Sequence, residues 1–238
     1  MLGPKCPEYA LPVIAWLLRK NISFKRATNS WFITRDGVTL LSPTSKFVTF
    51  GLNYFRRQFE RYFPINKDDT ALDVGACIGD TTVPMAMKAD HVIAVEPHPI
   101  NAKYLRVNTQ EFGNVRLIEK AAYSRRGQIP FYVHSSIPTK HSLVDDEGNT
   151  GTMMVEADTL DRIVDEPIDF AKVDVQGCEA EVLRGAPQLL KVTPKIVVET
   201  HWRSNDRRTY PEVLQILKQH GFTTKFAWDN GCVYGWRN

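Results

Sequence analysis

Two glycines and a glutamate follow the first two apolar strands of the main repeating pattern. In ALDVGACIGDTT, residues 71–82, an apolar run ends at Gly75, and Gly79 follows before a helix start. Glycine permits a tight turn and close approach of the backbone to a ligand, and the NH groups at a helix start suit an anionic group. Glu96 ends the next strand, where its two oxygens can accept from both hydroxyls of a ribose. The spacing therefore predicts a bound nucleoside.

Asp73 distinguishes between two kinds of nucleoside ligand. A dinucleotide-binding turn has a middle glycine that clears the pyrophosphate, and the turn from Gly75 to Gly79 lacks it. An acid two residues before Gly75 suits a ligand with a positive end. S-adenosylmethionine carries an ammonium, a sulfonium and a carboxylate, so it is the predicted cofactor. The candidate cofactor-binding residues are Asp73, Gly75, Gly79 and Glu96.

Two later strands end in groups that can take up a proton. Asp174 follows FAKV, Glu199 ends KIVVE, and His201 comes two residues later. Ligands of open parallel sheets bind beyond the carboxyl ends of the strands. Methyl transfer to an alcohol needs a base to remove the hydroxyl proton, and Asp174 is the first candidate, with Glu199 and His201 as alternatives. The alternative interpretations are that Asp174 caps the following helix and that Glu199 and His201 are solvated polar residues at a strand end.

A divalent metal is the competing use of these acids. Asp174 and Glu199 together offer oxygen ligands of the kind that hard cations prefer. The spacing fixes no third oxygen ligand. We therefore favour direct base catalysis and predict no metal.

Apolar strands and amphipathic helices alternate from Thr70 onward. Strands are predicted at 71–74, 92–95, 115–121, 170–175 and 195–199. Such alternation is typical of an α/β fold with a parallel sheet covered on both faces. Near the C-terminus, Asp229-Asn230-Gly231 joins two further strands and predicts an antiparallel hairpin.

The first 66 residues have a different pattern. A helix is expected over residues 7–20, a hairpin around Asp36-Gly37 and another helix over 51–63. We predict an N-terminal extension at 1–66 and a catalytic domain at 67–238. Between strand-like segments at 128–134 and 152–157 lies a polar loop with Ser142, a candidate substrate residue.

Composition limits the compartment and the partners. The chain has 30 basic and 27 acidic residues and a formal charge of +3, which favours neither a nucleic-acid clamp nor an acidic tail. Its four cysteines are scattered singly, as in a reducing cytoplasm. The apolar run at 10–18 is about half the length needed to span a bilayer. We expect a cytoplasmic protein without a membrane span, and the apolar first helix could join two copies.

Seven motifs in order resemble those of the FkbM-like methyltransferases, over roughly residues 70–201. They are DVGACIGDTT, AVEPHP, AAYSRRG, HSL, VEADTLD, FAKVDVQGCEAEVLRGA and PKIVVETH. The resemblance implies a class I methyltransferase Rossmann-like sheet, S-adenosylmethionine as cofactor and methylation of a hydroxyl oxygen. Asp174, Gly177 and Glu179 match the family's Asp-x-x-Gly-x-Glu segment, and Glu179 is a further candidate substrate residue. Gln176 departs from the family, which usually has Glu there.

Three functions are compatible with these features. The leading prediction is an O-methyltransferase acting on a hydroxyl of a sugar or small secondary metabolite. The second is methylation of an RNA ribose 2′-hydroxyl, suggested by three arginine pairs and by the aromatic residues at 54–63. The third is an inactive module that binds the cofactor and serves as a scaffold, suggested by Gln176 alone.

Overall fold

A computed structural model describes residues 22–45, 50–133, 143, 150–202 and 208–237. The helix expected over residues 7–20 and the candidate substrate residue Ser142 lie outside the described residues. Within the described part of the chain, no helix is long and apolar enough to cross a membrane.

The described chain begins with a small antiparallel sheet in the order β1-β2-β3. The sheet consists of β1 (Ile22–Arg26), β2 (Trp31–Arg35) and β3 (Val38–Ser42). The hairpin predicted at Asp36-Gly37 joins β2 to β3, and both turn residues have positive φ angles, of 48° and 81°. A type I′ hairpin turn requires positive φ at both central residues, which Asp-Gly provides. Strand β1 was not predicted from the sequence.

A seven-stranded sheet forms the centre of the molecule. Its order is β12-β13-β11-β10-β4-β5-β6, in which β4, β5, β6, β10 and β11 are parallel and β13 runs antiparallel to its neighbours. The strands are β4 (Thr70–Val74), β5 (His91–Val95), β6 (Val115–Ile118), β10 (Phe170–Val173), β11 (Lys195–Glu199), β12 (Thr223–Ala227) and β13 (Cys232–Trp236). The predicted α/β sheet with a closing antiparallel hairpin is confirmed. The order reverses at β4, so ligands are expected beyond its carboxyl end.

A third, small sheet lies between β6 and β10 in the sequence. It contains β7 (Ala121–Ala122), β8 (Gly127–Val133) and β9 (Gly151–Asp158) in the order β7-β9-β8. The single strand predicted over residues 115–121 was wrong, because the chain leaves the large sheet after Ile118 and Ala121 pairs with Ala157 of β9 instead.

Seven helices lie within the described residues. They are α1 (Leu52–Gln58), α2 (Thr82–Ala86), α3 (Pro99–Thr109), α4 (Leu160–Ile163), α5 (Glu179–Arg184), α6 (Leu189–Val192) and α7 (Tyr210–Gln219). Helix α1 is shorter than the segment 51–63 predicted for it, although Phe55, Phe59 and Phe63 are all buried. Their burial removes these three rings as an exposed platform for stacking on bases.

The N-terminal residues share hydrophobic clusters with the large sheet. Phe55 and Phe59 pack in one cluster with Val197 and Tyr234, and Ile33 and Leu40 pack in another with Ile78 and Val83. Burying apolar surface in common couples the two parts energetically. The boundary near residue 66 stays a prediction, and the shared clusters bring α1 close to the end of β11.

Candidate active site

The turn after β4 contacts the loop after β10, and both belong to the candidate site. Gly75 has φ 79°, and a Cβ atom there would lie 1.9 Å from the backbone oxygen of Asp174. Any larger residue would push the turn away from the loop after β10. Gly79 has φ 97°, and its missing Cβ would lie 2.9 Å from Leu105 Cδ1 of α3. The small size of Gly79 therefore serves packing against α3, and contact between Gly79 and the cofactor stays a prediction.

Glu96 is held at the end of β5 by the turn that it faces. Its side chain is almost buried, with Oε2 accepting from the backbone N of Cys77 at 2.9 Å and Oε1 from the N of His98 at 2.8 Å. A carboxylate oxygen can accept two hydrogen bonds, so Oε2 retains capacity for a ligand hydroxyl. Burial raises the pKa of Glu96 to about 7.

Asp73 is fully buried inside β4 and is engaged by the protein itself. Its Oδ2 accepts from the hydroxyls of Thr81 and Thr82 at 2.7 Å each, and its Oδ1 lies 3.0 Å from Lys172 Nζ. These contacts tie the helix start after the glycine turn to the strand before it. Direct contact between Asp73 and the cofactor stays a prediction.

A cleft opens at the carboxyl ends of β4, β5 and β10. The candidate residues that line it are Gly75, Glu96 and Asp174. Its other lining residues are Val74, Cys77, Asp80, Val95, Pro97, Asn101, Ala121, Ala122, Phe131, Leu143, Val175 and Gln176. The mixture of apolar walls and few polar groups is typical of small-molecule sites.

The three candidate catalytic residues meet around one atom, Nε2 of His201. Asp174 Oδ1 lies 3.7 Å from it and Glu199 Oε1 lies 3.9 Å from it. The side chains of Asp174 and Glu199 are each 23% exposed, and that of His201 is 21% exposed. The structure therefore brings the ends of β10 and β11 together as expected, and leaves the group accessible to a ligand.

Glu179 and Gln176 hold the His201 ring in place. Glu179 is fully buried at the start of α5, and its Oε1 lies 2.7 Å from His201 Nδ1 and accepts from the N of Gly177 at 2.8 Å. Gln176 Nε2 donates to Asp174 Oδ1 at 2.9 Å and lies 2.9 Å from His201 Nε2. With no exposed surface, Glu179 is placed to orient the imidazole, and its predicted contact with substrate stays a prediction.

The charge states in this group differ from those of free side chains. Burial lowers the pKa of His201, but hydrogen bonding to Glu179 and the charges of Asp174 and Glu199 outweigh it and raise the pKa to about 9. A half-turn of the Gln176 amide would let its oxygen accept from a protonated Nε2, at the expense of the hydrogen bond that Gln176 donates to Asp174. Burial and the nearby Asp174 raise the pKa of Glu199 to about 7. His201 is thus largely charged at neutral pH, where Glu199 titrates.

Three site residues were not found from the sequence. Lys172 is buried in the middle of β10 and lies 3.7 Å from Asp174 Oδ2. Asp80 lines the cleft, and burial raises its pKa to about 8. Asn101 of α3 also lines the cleft, and its amide lies 3.5 Å from Glu96 Oε1. A lysine within the apolar run FAKV was the available signal, because both faces of an internal parallel strand are normally buried.

No group of three or more metal-ligating side chains is arranged to hold a metal ion within the described ranges. The Asp174 and Glu199 carboxylates instead face an imidazole and a buried ammonium.

Sequence comparison matches residues 73–224 to the Methyltransferase FkbM domain. The matched segment runs from Asp73 on β4 to Thr224 on β12 and contains every residue that lines the cleft. The chain belongs to the FkbM methyltransferase family. It is therefore an S-adenosylmethionine-dependent methyltransferase, as the sequence motifs predicted.

Individual relatives have different acceptors in their names. The chain is 30% identical over 173 residues to the hexuronic acid methyltransferase AglP of Haloferax volcanii, covering 72% of each chain. It is 26% identical over 133 residues to a probable ribosomal RNA small subunit methyltransferase A of Methanosarcina barkeri, covering 50% of this chain and 46% of the relative.

A solved structure shows the same fold. The FkbM methyltransferase of Methylobacillus flagellatus KT superposes with a TM-score of 0.55 at 16% sequence identity, covering 78% of this chain. The alignment spans 50% of that protein, so the present chain corresponds to about half of its length.

Proposed function

We propose that this FkbM-family protein transfers a methyl group from S-adenosylmethionine to a hydroxyl oxygen of a sugar. The observation that carries the proposal is the position of Asp174, which lines the cleft beside Gly75 and also faces His201 and Glu199. A carboxylate at this junction is next to both the donor pocket and the groups suited to proton transfer.

The donor pocket has groups that fit S-adenosylmethionine. Glu96 faces the cleft with acceptor capacity for ribose hydroxyls, and the apolar walls include Val95, Ala122 and Phe131. When bound there, S-adenosylmethionine supplies an electrophilic methyl group on a positively charged sulfur. The protein must align the acceptor with that methyl group and exclude water, and such alignment is worth about 7–11 kcal/mol of the barrier in well-oriented systems.

The acid group at the ends of β10 and β11 supplies the base. Asp174 is the first candidate to accept the hydroxyl proton, because it alone of the three catalytic candidates also lines the cleft. Glu199, with a pKa of about 7, is suited to take up that proton near neutral pH. His201, charged at neutral pH and fixed by Glu179, stabilises the anionic form of its carboxylate neighbours. Its predicted role as base is therefore weaker than that of either acid.

Exposed aromatic rings beside His201 support a sugar as the acceptor. Trp202 is 57% exposed and pairs with Arg208, whose guanidinium lies 4.3 Å from the ring centre. Trp228 is 72% exposed in the turn that hydrogen-bonds to Thr200 through Gly231. Flat apolar rings at the edge of a polar site give contact area at little entropic cost. The name of the relative AglP agrees with an acceptor of this class.

Turnover with a sugar panel tests the proposal. Purified protein is incubated with S-adenosylmethionine and with glycosides and nucleotide sugars that carry neutral or uronic rings, and S-adenosylhomocysteine is measured. We expect product with a subset of sugars and a methyl group on the sugar by mass spectrometry. Turnover with ribosomal RNA but with no sugar of the panel would contradict the proposed sugar acceptor and indicate the RNA ribose instead.

The position of the methyl group on the product tests whether the reaction needs a base. A uronic acid offers both hydroxyl and carboxylate oxygens, and a carboxylate needs no deprotonation above its own pKa. The product is therefore treated with mild alkali, which hydrolyses a methyl ester and leaves a methyl ether intact. Survival of the methyl group supports hydroxyl methylation, and its loss would contradict it.

A further inference from the structure

Lys172 lies where the cofactor turn and the base-bearing strand meet. It is 1% exposed in the centre of β10 and pairs in register with Asp73 of the neighbouring strand β4. Its Nζ atom lies 3.0 Å from Asp73 Oδ1 and 3.7 Å from Asp174 Oδ2, and it donates to the backbone oxygen of Gly75 at 3.1 Å. The Lys172 ammonium therefore contacts Gly75 of the turn, Asp73 on β4 and the candidate base Asp174.

The environment of Lys172 keeps it charged. Burial lowers the pKa of Lys172, but the carboxylates of Asp73, Asp174 and Asp80 more than offset this and raise the pKa above its ordinary value. The fourth side is closed by Phe59 of the N-terminal residues, whose ring centre lies 5.7 Å from Nζ. An aromatic face attracts a cation at this distance.

Such an arrangement costs folding free energy. Removing an ammonium from water carries a penalty of several kcal/mol, and buried ion pairs are often no more stable than apolar residues of the same volume. Strand β10 is otherwise apolar, and Phe170, Ala171 and Val173 are all buried. Packing alone therefore gives no reason for a lysine at this position, whereas the surrounding acids do.

We propose that Lys172 is a positioning residue whose fixed charge favours the ionised form of the carboxylates in both halves of the site. This inference rests on the proposed function, because it assigns Glu96 to the donor and Asp174 and Glu199 to the acceptor. The inference extends the proposed function by giving one buried cation, Lys172, a role in both the donor half and the acceptor half of the site.

Ionisable groups from several elements interact with Lys172. They are Asp73 on β4, Cys77 and Asp80 after β4, Glu96 after β5, Asp174 after β10, Glu199 on β11 and Cys232 on β13. His201 and Tyr54 interact electrostatically with Asp174 and Glu199. Burial raises the pKa of Glu96, Glu199 and Asp80, and in each case the charge of Lys172 acts in the opposite direction. Without that charge, more of each carboxyl would be protonated at neutral pH.

The test is a carbon-13 NMR titration of the side-chain carboxyls in the ligand-free protein, which requires neither acceptor nor turnover. In the parent protein, we expect Glu96 and Glu199 to titrate near pH 7. Lys172→Met keeps an unbranched chain and removes the charge. It should move both midpoints to higher pH by about 0.5 to 1 unit, since the effect of an ion pair on pKa falls with distance.

A matched control separates charge from packing. Val173→Ala alters the next residue of β10, which is 1% exposed and uncharged. It should lower the melting temperature without moving either midpoint. Unchanged midpoints in a folded Lys172→Met protein would overturn the proposal and leave Lys172 with a packing role.

A second variant covers the case in which Lys172→Met does not fold. Asp73→Asn keeps the lysine and removes a carboxylate that raises the pKa of Asp80. The less compensated ammonium should then lower the midpoint of Glu96, and a folded Asp73→Asn protein with an unchanged Glu96 midpoint would also overturn the proposal. The midpoint of Asp80 serves only as a check that the Asp73 charge is gone.

The proposed function is tested separately by calorimetry with S-adenosylmethionine on the same samples. Absence of binding to the parent protein would contradict the donor site, while the carboxyl midpoints would still decide the role of Lys172.

Discussion

The two halves of the site are built from different kinds of contact. At the proposed donor half, Glu96 is 4% exposed and is fixed by backbone NH groups of Cys77 and His98. At the proposed acceptor half, Asp174 and Glu199 are each 23% exposed and meet a histidine that is fixed by the side chain of Glu179 at the start of α5. The donor half is closed and held by backbone groups, whereas the acceptor half is open and held by side chains.

This difference is what the two chemical tasks require. The proposed methyl donor is always the same molecule, S-adenosylmethionine, so a closed pocket lined by backbone groups suits it. Acceptors vary, and their protons must leave, so accessible side chains with raised pKa values are needed there. Substitutions should therefore separate into those that act on turnover and those that act on donor affinity.

Asp174→Asn should give the largest effect on turnover and should distinguish the two halves of the site most clearly. Loss of the candidate base should lower kcat about 10²- to 10⁴-fold, the usual contribution of general base catalysis. Donor affinity, measured by calorimetry, should change much less. Asp68→Asn, at a carboxylate with 86% exposure, is the control and should leave both quantities unchanged. If Glu199→Gln abolished turnover and Asp174→Asn did not, the base would be Glu199.

Glu96→Gln should act on the donor half alone. An amide presents one acceptor oxygen where the carboxylate presents two, so we expect the Kd for S-adenosylmethionine to rise about 10- to 100-fold, equivalent to one or two charge-assisted hydrogen bonds. The acceptor KM at saturating donor should stay the same. In the parent protein, donor affinity should fall as pH decreases through about 7, where Glu96 becomes protonated. A donor affinity that does not change with pH would show that Glu96 does not bind the donor as a carboxylate anion.

His201→Gln should change how stability depends on pH. The pKa of His201 is raised to about 9 in the folded protein from 6.5, so its contribution is fully present below pH 6.5 and is lost as pH rises through 9. The free energy of unfolding should therefore fall more steeply between these limits in the parent than in the variant, by on the order of 1–3 kcal/mol. Urea titrations at several pH values measure this difference. Parallel pH curves would contradict a charged His201.

Trp202→Ala should give the smallest effect, at the outer edge of the acceptor half. Loss of one aromatic contact costs about 0.5–1.5 kcal/mol, so the acceptor KM should rise several-fold with kcat nearly unchanged. The control is Val192→Ala, at an apolar side chain that is 65% exposed before the start of β11. Equal KM values in parent and Trp202→Ala would remove this ring from the acceptor site.

The comparison also explains how far the sequence alone could lead. The strand order and the donor turn follow from local signals, namely alternation of strands with helices and the spacing of Gly75, Gly79 and Glu96. The contact that Gly79 makes with Leu105 and the pairing of Ala121 with Ala157 depend on packing between segments far apart in the chain. Lys172 was missed for the same reason, because its contact with Asp73 is made across adjacent strands.

The close approach of Gly75 to the Asp174 carbonyl has a consequence for redesign. Since no side chain fits between the two loops, the donor turn and the loop after β10 must be exchanged between homologues as a single block. The exposed ring of Trp202 takes no part in that contact. New acceptor preferences are best sought by substitution at Trp202 and at Arg208, which packs against its ring.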